Sequence, residues 1–397
     1  MTADTIKILL FDMDGVLIQP GGYGAGADDT LKYFLEKFHL PVYADDQRMR
    51  VWFEAAGVSS EWDMVPITLA VILDRILGFW PSQQPLQNFE QVSHHLKYAV
   101  VPETEFKFQS IVQTLQPYFS RQPAPADAIL DLIQSVEGMS LFPGLKKHPD
   151  LARLILRHSR DEGNSAVNRI FQNYVLGDKI FKQVYGSNAE FEADSVLLKH
   201  DRPLLSPEWQ KRILQFRQEK MAFPVVYTAR PSSTPKEKQD GQLGYSPEAE
   251  MALSLLGFET VPVMGYGRMV YTGSVYGVDA DSLVKPSPFQ ALAAVKAAWS
   301  GREWEALQWA MKIYNQEHQN QPANDELPKK FELHVFEDSA GGIRAVKHAA
   351  EILRGIGYDV SFFGWGIATV EEKVRALQKT EVPVYEDVNL ALNASMQ

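Results

Sequence analysis

Cysteine is absent from the 397 residues. Its absence removes disulfides, thiolate zinc sites, iron-sulfur clusters and a cysteine nucleophile together, so any metal must rest on oxygen or imidazole. Basic character is scarce as well: Lys and Arg number 39 against 50 Asp and Glu, for a net charge of -11. With no strongly basic stretch, the chain is a poor electrostatic match for nucleic acid. No apolar run approaches transmembrane length, and the opening MTADTIKILL has an acid where a signal peptide is basic. These exclusions point to a cytoplasmic protein acting on a small ligand, with no nucleic acid and no membrane as partner. Nothing in the composition addresses oligomeric state.

Against these absences one stretch stands out. Ile6 to Phe11 is apolar except for Lys7, as expected of a strand buried on both faces of a parallel sheet. Asp12 and Asp14 follow at its carboxyl end, the edge where open α/β sheets place ligands, and Gly15 lets the backbone turn away. Unpaired carboxylates beside an apolar strand cost several kcal/mol, so a counter-ion is implied, most simply a divalent cation.

Downstream, IQPGGYGAGADD is dense in glycine but lacks G-x-G-x-x-G, and it is expected to be a flexible loop or hinge. From Asp28 to about Tyr185 the periodicity is helical, with candidate helices near Asp28 to Phe38, Asp45 to Ala56, Ile67 to Leu77, Glu103 to Tyr118, Ala126 to Val136 and Asn168 to Tyr185. Its aromatics, Trp52, Phe53, Trp62, Phe79, Trp80, Phe106, Phe108 and Phe119, read as packing residues. Adjacent His94 and His95 point about 100° apart on a helix and read as surface residues rather than a metal pair.

Three later stretches also carry chemistry-bearing residues, two at the ends of apolar segments and one at a helix entrance. Phe223 to Tyr227 runs into Thr228-Ala229-Arg230; Lys285-Pro286 precedes a helix from Gln290 to Trp299; Leu333 to Phe336 runs into Glu337-Asp338-Ser339. Between the first two, GYGRMVYTGSVYG (residues 265-277) reads as a hairpin-like excursion. Tyr358 to Phe363 is expected to close the sheet, with Gly364-Trp365-Gly366 as a loop beyond it and a terminal NASMQ that frays.

Taken in order, DMDG, the threonine after an apolar strand, the lysine before a helix and the ED-S-x-x-G-I-x-A string resemble the four motifs of the haloacid dehalogenase (HAD) superfamily. That resemblance implies an α/β fold: a Rossmann-like parallel-sheet core from residues 1-18 and 205-397, with an enlarged all-helical C1-type cap, 19-204, inserted after the first strand. It implies Asp12 as nucleophile, Asp14 as acid and base, and Thr228 and Lys285 as further catalytic groups. Phosphate would be held by Met13, Thr228, Ala229, Lys285 and Arg230; Mg2+ would be held by Asp12, Asp14 through its carbonyl, Asp338 and Glu337.

The expected activity is a Mg-dependent phosphomonoester hydrolase working through an aspartyl phosphate on a small phosphorylated metabolite. Asp14 disfavours dehalogenation, because halide displacement needs no acid two residues after the nucleophile. A phosphomutase of the β-phosphoglucomutase type and a non-catalytic binding protein of the same fold remain open alternatives. The substrate is not legible.

Overall fold

Ile8, Leu9, Leu10 and Phe11 are all fully buried, and alternate members go to opposite faces of one sheet. This is the period-2 consequence of an extended strand, and it explains why the run is apolar throughout rather than alternating. The computed structural model describes residues 6-41, 46-99, 107-161, 163-239, 243-315 and 327-396. The strands are β1 (Lys7–Phe11), β2 (Ile18–Gln19), β3 (Arg202–Pro203), β4 (Ala222–Tyr227), β5 (Val263–Met264), β6 (Lys330–Glu337), β7 (Asp359–Ile367) and β8 (Val384–Tyr385). Six form a parallel sheet in the order β5-β4-β1-β6-β7-β8, while β2 and β3 pair antiparallel.

Ile8 and Leu10 join Val225, Tyr227, Leu333 and Val335 under the helices Pro288–Ser300, Glu303–Tyr314 and Ala340–Gly355. Leu9 and Phe11 join Val226, Phe336 and Val263 under Pro207–Gln218, Glu248–Leu255 and Val388–Ser395. The core is therefore a three-layer α/β sandwich of the Rossmann-like kind. Each fully buried aliphatic or phenyl side chain in it contributes about 1.5–3 kcal/mol. The chain leaves β1 to meet β4 on one side and β6 on the other, so the strand order reverses at the carboxyl end of β1. Such a switch point opens a crevice at the sheet edge.

The chain divides into two compact units, Met1–Pro20 with Asp201–Gln397, and Gly21–His200. Among the described residues the second unit is helical throughout, and no helix of the protein is long and apolar enough to cross a membrane. Its first helix, Gly22–Lys37, overturns the expected loop. A Cβ on Gly22 would come 2.5 Å from Leu197 Cα, and one on Gly26 would press on Val175 and Phe171. Close packing thus selects glycine there, against its helix penalty of about 1 kcal/mol per residue.

The helix Glu61–Phe79 begins six residues before the expected start at Ile67 and runs through Pro66. Proline leaves the carbonyl four residues earlier without its helical donor. Asn168 Nδ2 supplies that bond to the Trp62 carbonyl at 2.9 Å. The expected single helix from Asn168 to Tyr185 is two, Ala166–Leu176 and Asp178–Tyr185, broken at Gly177 with φ +76°. Buried Asp63 ties this unit together, accepting from the Ala126 amide, the Ser159 hydroxyl and Arg160. Phe53 and Phe119 are core, whereas Phe79 and Trp80 are exposed; Phe106 and the expected helix start at Glu103 lie outside the described residues.

In the core unit, the supposed hairpin at 265-277 is a helix, Tyr266–Tyr276. Gly267 and Gly273 are there because a Cβ would strike the Ser232 and Val278 carbonyls, and Arg268 is buried against Glu250 and Glu303. Gly364-Trp365-Gly366 lies inside β7, and β8 closes the sheet instead. Among the described residues the terminal segment is helical rather than frayed: the helix Val388–Ser395 buries Ala391 and Leu392, and Lys7 Nζ donates to the Ser395 carbonyl at 3.1 Å.

Candidate active site

Strand register builds the site. Phe11 pairs with Val226 of β4 and with Phe336 of β6, so the next residues, Asp12, Tyr227 and Glu337, form one row across three adjacent strands. All three continue the parity of Ile8 and Leu10 and so face the same side of the sheet. Lys285 arrives on that side from the loop before the helix Pro288–Ser300. Its Nζ lies 2.7 Å from Asp12 Oδ1 and 3.0 Å from Glu337 Oε2, and 4.5 Å from the centroid of the Tyr227 ring.

Glu337 is fully buried and accepts four hydrogen bonds: from the Ser339 amide and hydroxyl on one oxygen, and from the Tyr227 hydroxyl and Lys285 on the other. Asp12 is 6 % exposed. The carboxylates of Asp12, Glu337 and Asp338 offer ligand atoms within 4.8 Å of one another. Asp338 also takes an ion pair from Lys373.

One ammonium shared by crowded acids cannot neutralise them all. Burial, then the Glu337 charge, pushes the Asp12 carboxyl well above the usual carboxylate range against the pull of Lys285. Burial acts the same way on Glu337, but Lys285, the Tyr227 hydroxyl and Ser339 outweigh it and hold that carboxyl below its ordinary value. Burial also disfavours the Lys285 ammonium, yet Asp12 and Glu337 raise its pKa above the ordinary value. An all-oxygen donor set with residual negative charge fits a hard divalent cation such as Mg2+. Of the three acids, Asp12 and Asp338 have the freer oxygens.

Turn geometry brings the last acid in. Gly15 has φ +79°, a region other residues rarely adopt, and a Cβ there would sit 2.7 Å from Asp338 Oδ2. Ser339 then caps the helix Ala340–Gly355 by accepting from the Gly342 amide at 3.1 Å.

Beyond the row, Thr228 follows β4 and is buried, its hydroxyl accepting from the Arg230 amide at 3.1 Å. Met13 is buried in the core, and its carbonyl accepts from the Leu17 and Ile18 amides, closing the turn after β1. Ala229 lies between Thr228 and Arg230 on the β4 loop. The Asp14 carboxylate does not join the acidic cluster; it is gripped by Arg230, which also binds Asp201. Thus Asp12, Lys285, Glu337 and Asp338 are brought together, while Asp14 and Arg230 form a second, adjoining ion-pair group.

Four residues of the site had not been singled out from sequence. In the sequence Tyr227 is only the last apolar residue of a strand. Gln290 donates to the Thr228 and Met264 carbonyls, both at 2.8 Å, and its side-chain oxygen accepts from the Lys285 amide, so it ties the lysine loop to the end of β4. A buried glutamine in the first turn of an apolar helix was the signal available. Asp201 and Lys373 lie too far along the chain from their partners for any local pattern to reveal them.

No family model and no curated protein sequence matches the chain. Among solved structures, an X-ray structure from the Northeast Structural Genomics Consortium superposes with a TM-score of 0.65 at 15 % identity, over 96 % of each chain. Phosphatase Tt82 from Thermococcus thioreducens gives 0.42 at 16 % identity, over 94 % of this chain and 97 % of that one. A hydrolase from Pseudomonas syringae gives 0.30 at 12 % identity, over 98 % and 96 %. At these identities a likeness speaks to fold alone, and the first is close enough to do so.

Proposed function

We propose that the protein is a Mg-dependent phosphomonoester hydrolase that acts on a small phosphorylated metabolite through an aspartyl phosphate on Asp12. The observation that carries this reading is the pairing of Asp12 with Lys285 at 2.7 Å inside a cluster of three carboxylates at the switch point of a parallel sheet. The resemblance of the four segments to HAD motifs supports it independently.

In this mechanism the Asp12 carboxylate attacks phosphorus in line, and the P–O bond to the leaving alcohol breaks as Asp14 donates a proton to that oxygen. Lys285 holds charge that develops on the phosphoryl oxygens, with the Thr228 hydroxyl and the Met13 and Ala229 amides as further donors. Water then attacks phosphorus while Asp14 takes its proton, releasing phosphate and restoring Asp12. Asp12, Asp338 and the Asp14 carbonyl would hold a magnesium ion, with Glu337, its oxygens already hydrogen-bonded, adding negative charge beside it; the ion's charge would offset that of the phosphoryl group.

The test is acid-quench trapping with a labelled phosphomonoester. Label should be retained on Asp12 and released by hydroxylamine, and Asp12→Asn should lose turnover by about 10⁴-fold or more without a change in fold. Turnover surviving in that variant, or no hydrolysis of any phosphomonoester with Mg2+ present, overturns the reading.

A further inference from the structure

The Arg230 side chain is only 2 % exposed. Its Nε donates to Asp14 Oδ2 at 2.8 Å and Oδ1 at 3.0 Å, and its Nη2 donates to Oδ1 as well. Its Nη1 donates to Asp201 Oδ2 at 2.8 Å, and the Asp201 side chain is 1 % exposed. The backbone is pinned too, the Arg230 amide donating to Thr228 and its carbonyl accepting from the Tyr266 amide at 2.8 Å. An arginine fork fixed at both ends imposes one plane and one direction on the carboxylate it grips.

Asp14 needs such a constraint. Its side chain is 35 % exposed, and a short carboxylate on two freely turning bonds has several orientations available in solvent. Proton transfer requires one of them, within hydrogen-bond reach of the leaving oxygen. Asp201 in turn holds the far end of the guanidinium through Nη1.

We propose that Arg230, seated by Asp201, is a positioning residue that orients Asp14 for proton delivery to the leaving alcohol, rather than a phosphate ligand. This inference rests on the phosphatase reading. Its consequence is selective by leaving group: an alkoxide departs only as it is protonated, whereas dinitrophenolate leaves without a proton. The ratio kcat/KM reports the steps up to transfer of phosphorus to Asp12 and so isolates this difference.

The experiment compares an alkyl phosphomonoester with 2,4-dinitrophenyl phosphate, using saturating Mg2+ and the full chain. Arg230→Gln should lower kcat/KM about 10²-fold on the alkyl ester and less than about 5-fold on the dinitrophenyl ester. Because that variant takes the guanidinium from buried Asp201, Arg230→Lys serves as the fold-safe companion: it keeps the charge, loses the fork, and should show the same selectivity at about 10-fold. Asp201→Asn, which leaves the arginine in place, should likewise lower the alkyl ester more than the dinitrophenyl ester. Arg230→Gln combined with Asp14→Asn should be no worse on the alkyl ester than Asp14→Asn alone.

Equal losses on both esters, or additive losses in the double variant, overturn the positioning role and leave the phosphatase reading standing. A wild-type protein inert toward both esters overturns the phosphatase reading itself, and the positioning role with it.

Discussion

Tyr227→Phe tests whether the row across β4, β1 and β6 works as one unit. The substitution keeps the ring, its packing and its face toward Lys285, and removes only the hydroxyl that donates to Glu337 Oε2. Glu337 is fully buried, so no water replaces that donor; Oε2 is left with Lys285, and Oε1 with Ser339. A hydrogen bond to a buried charged acceptor is worth about 1.5–3 kcal/mol, which sets the expected loss of stability. At roughly 2–4 °C per kcal/mol for a unit of this size, the melting temperature should fall by about 3–12 °C. Less neutralised, Glu337 competes harder with Asp12 for the ammonium they share. If about 1 kcal/mol of that competition reaches the transition state, kcat/KM drops about 5-fold. Thermal melts and phosphatase kinetics, run beside Lys285→Met, read both quantities. An unchanged melting temperature, or a loss of turnover as large as that from Lys285→Met, refutes the reasoning.

Gly15→Ala should cost about 1–2 kcal/mol for the left-handed backbone and displace Asp338, which its Cβ would approach to 2.7 Å. Weaker Mg2+ binding by titration calorimetry is the expected result, and unaltered binding sinks the steric argument. Lys373→Met removes a half-exposed ion pair from Asp338, so Mg2+ affinity should rise by about 2- to 5-fold, the equivalent of a surface pair; a fall in affinity counts against Asp338 as a ligand. His334, 2 % exposed, accepts from Trp365 Nε1 on Nδ1 and lies against Glu332 through Nε2, and burial lowers its pKa from 6.5 to about 4. The unfolded chain takes up that proton below about pH 6.5 and the folded protein only near pH 4, so stability is full above the first value and falls by about 3 kcal/mol toward the second. Denaturant unfolding across that range should show His334→Phe without this loss, and parallel curves refute it.

What was legible in the sequence is what burial on both faces forces. The strands around Leu10, Val225 and Val335 are largely apolar, with buried His334 the exception, held by Trp365 and Glu332, and acids, threonine and arginine gather where the runs reach the sheet edge, so their ends announced the site. The parallel α/β sandwich and its many helices follow from the same patterning. Two of the misreadings share one cause: glycine-rich stretches at 21-26 and 265-277 carry loop composition, but their glycines are chosen by backbone contacts with Leu197, Ser232 and Val278, which lie elsewhere in the chain. Arg230 was visible as a residue but not as a clamp on Asp14, because Asp201 is 29 positions away with no periodic relation to it.

The spacing of the motif residues follows from strand parity continued past the strand ends. Asp12 stands level with Tyr227 and Glu337, whereas Met13, one step on, enters the opposite core. Past the ends of these neighbouring strands Asp14 and Arg230 meet as an ion pair, although their segments are more than two hundred residues apart. A one-residue slip of β4 against β1 would exchange Tyr227 for Thr228 beside Asp12, leaving Glu337 without its phenol and Asp14 without its fork. The buried apolar rows of β1 and β4 forbid that slip, so the hydrophobic core, rather than any contact within the site, holds the proposed chemistry in register.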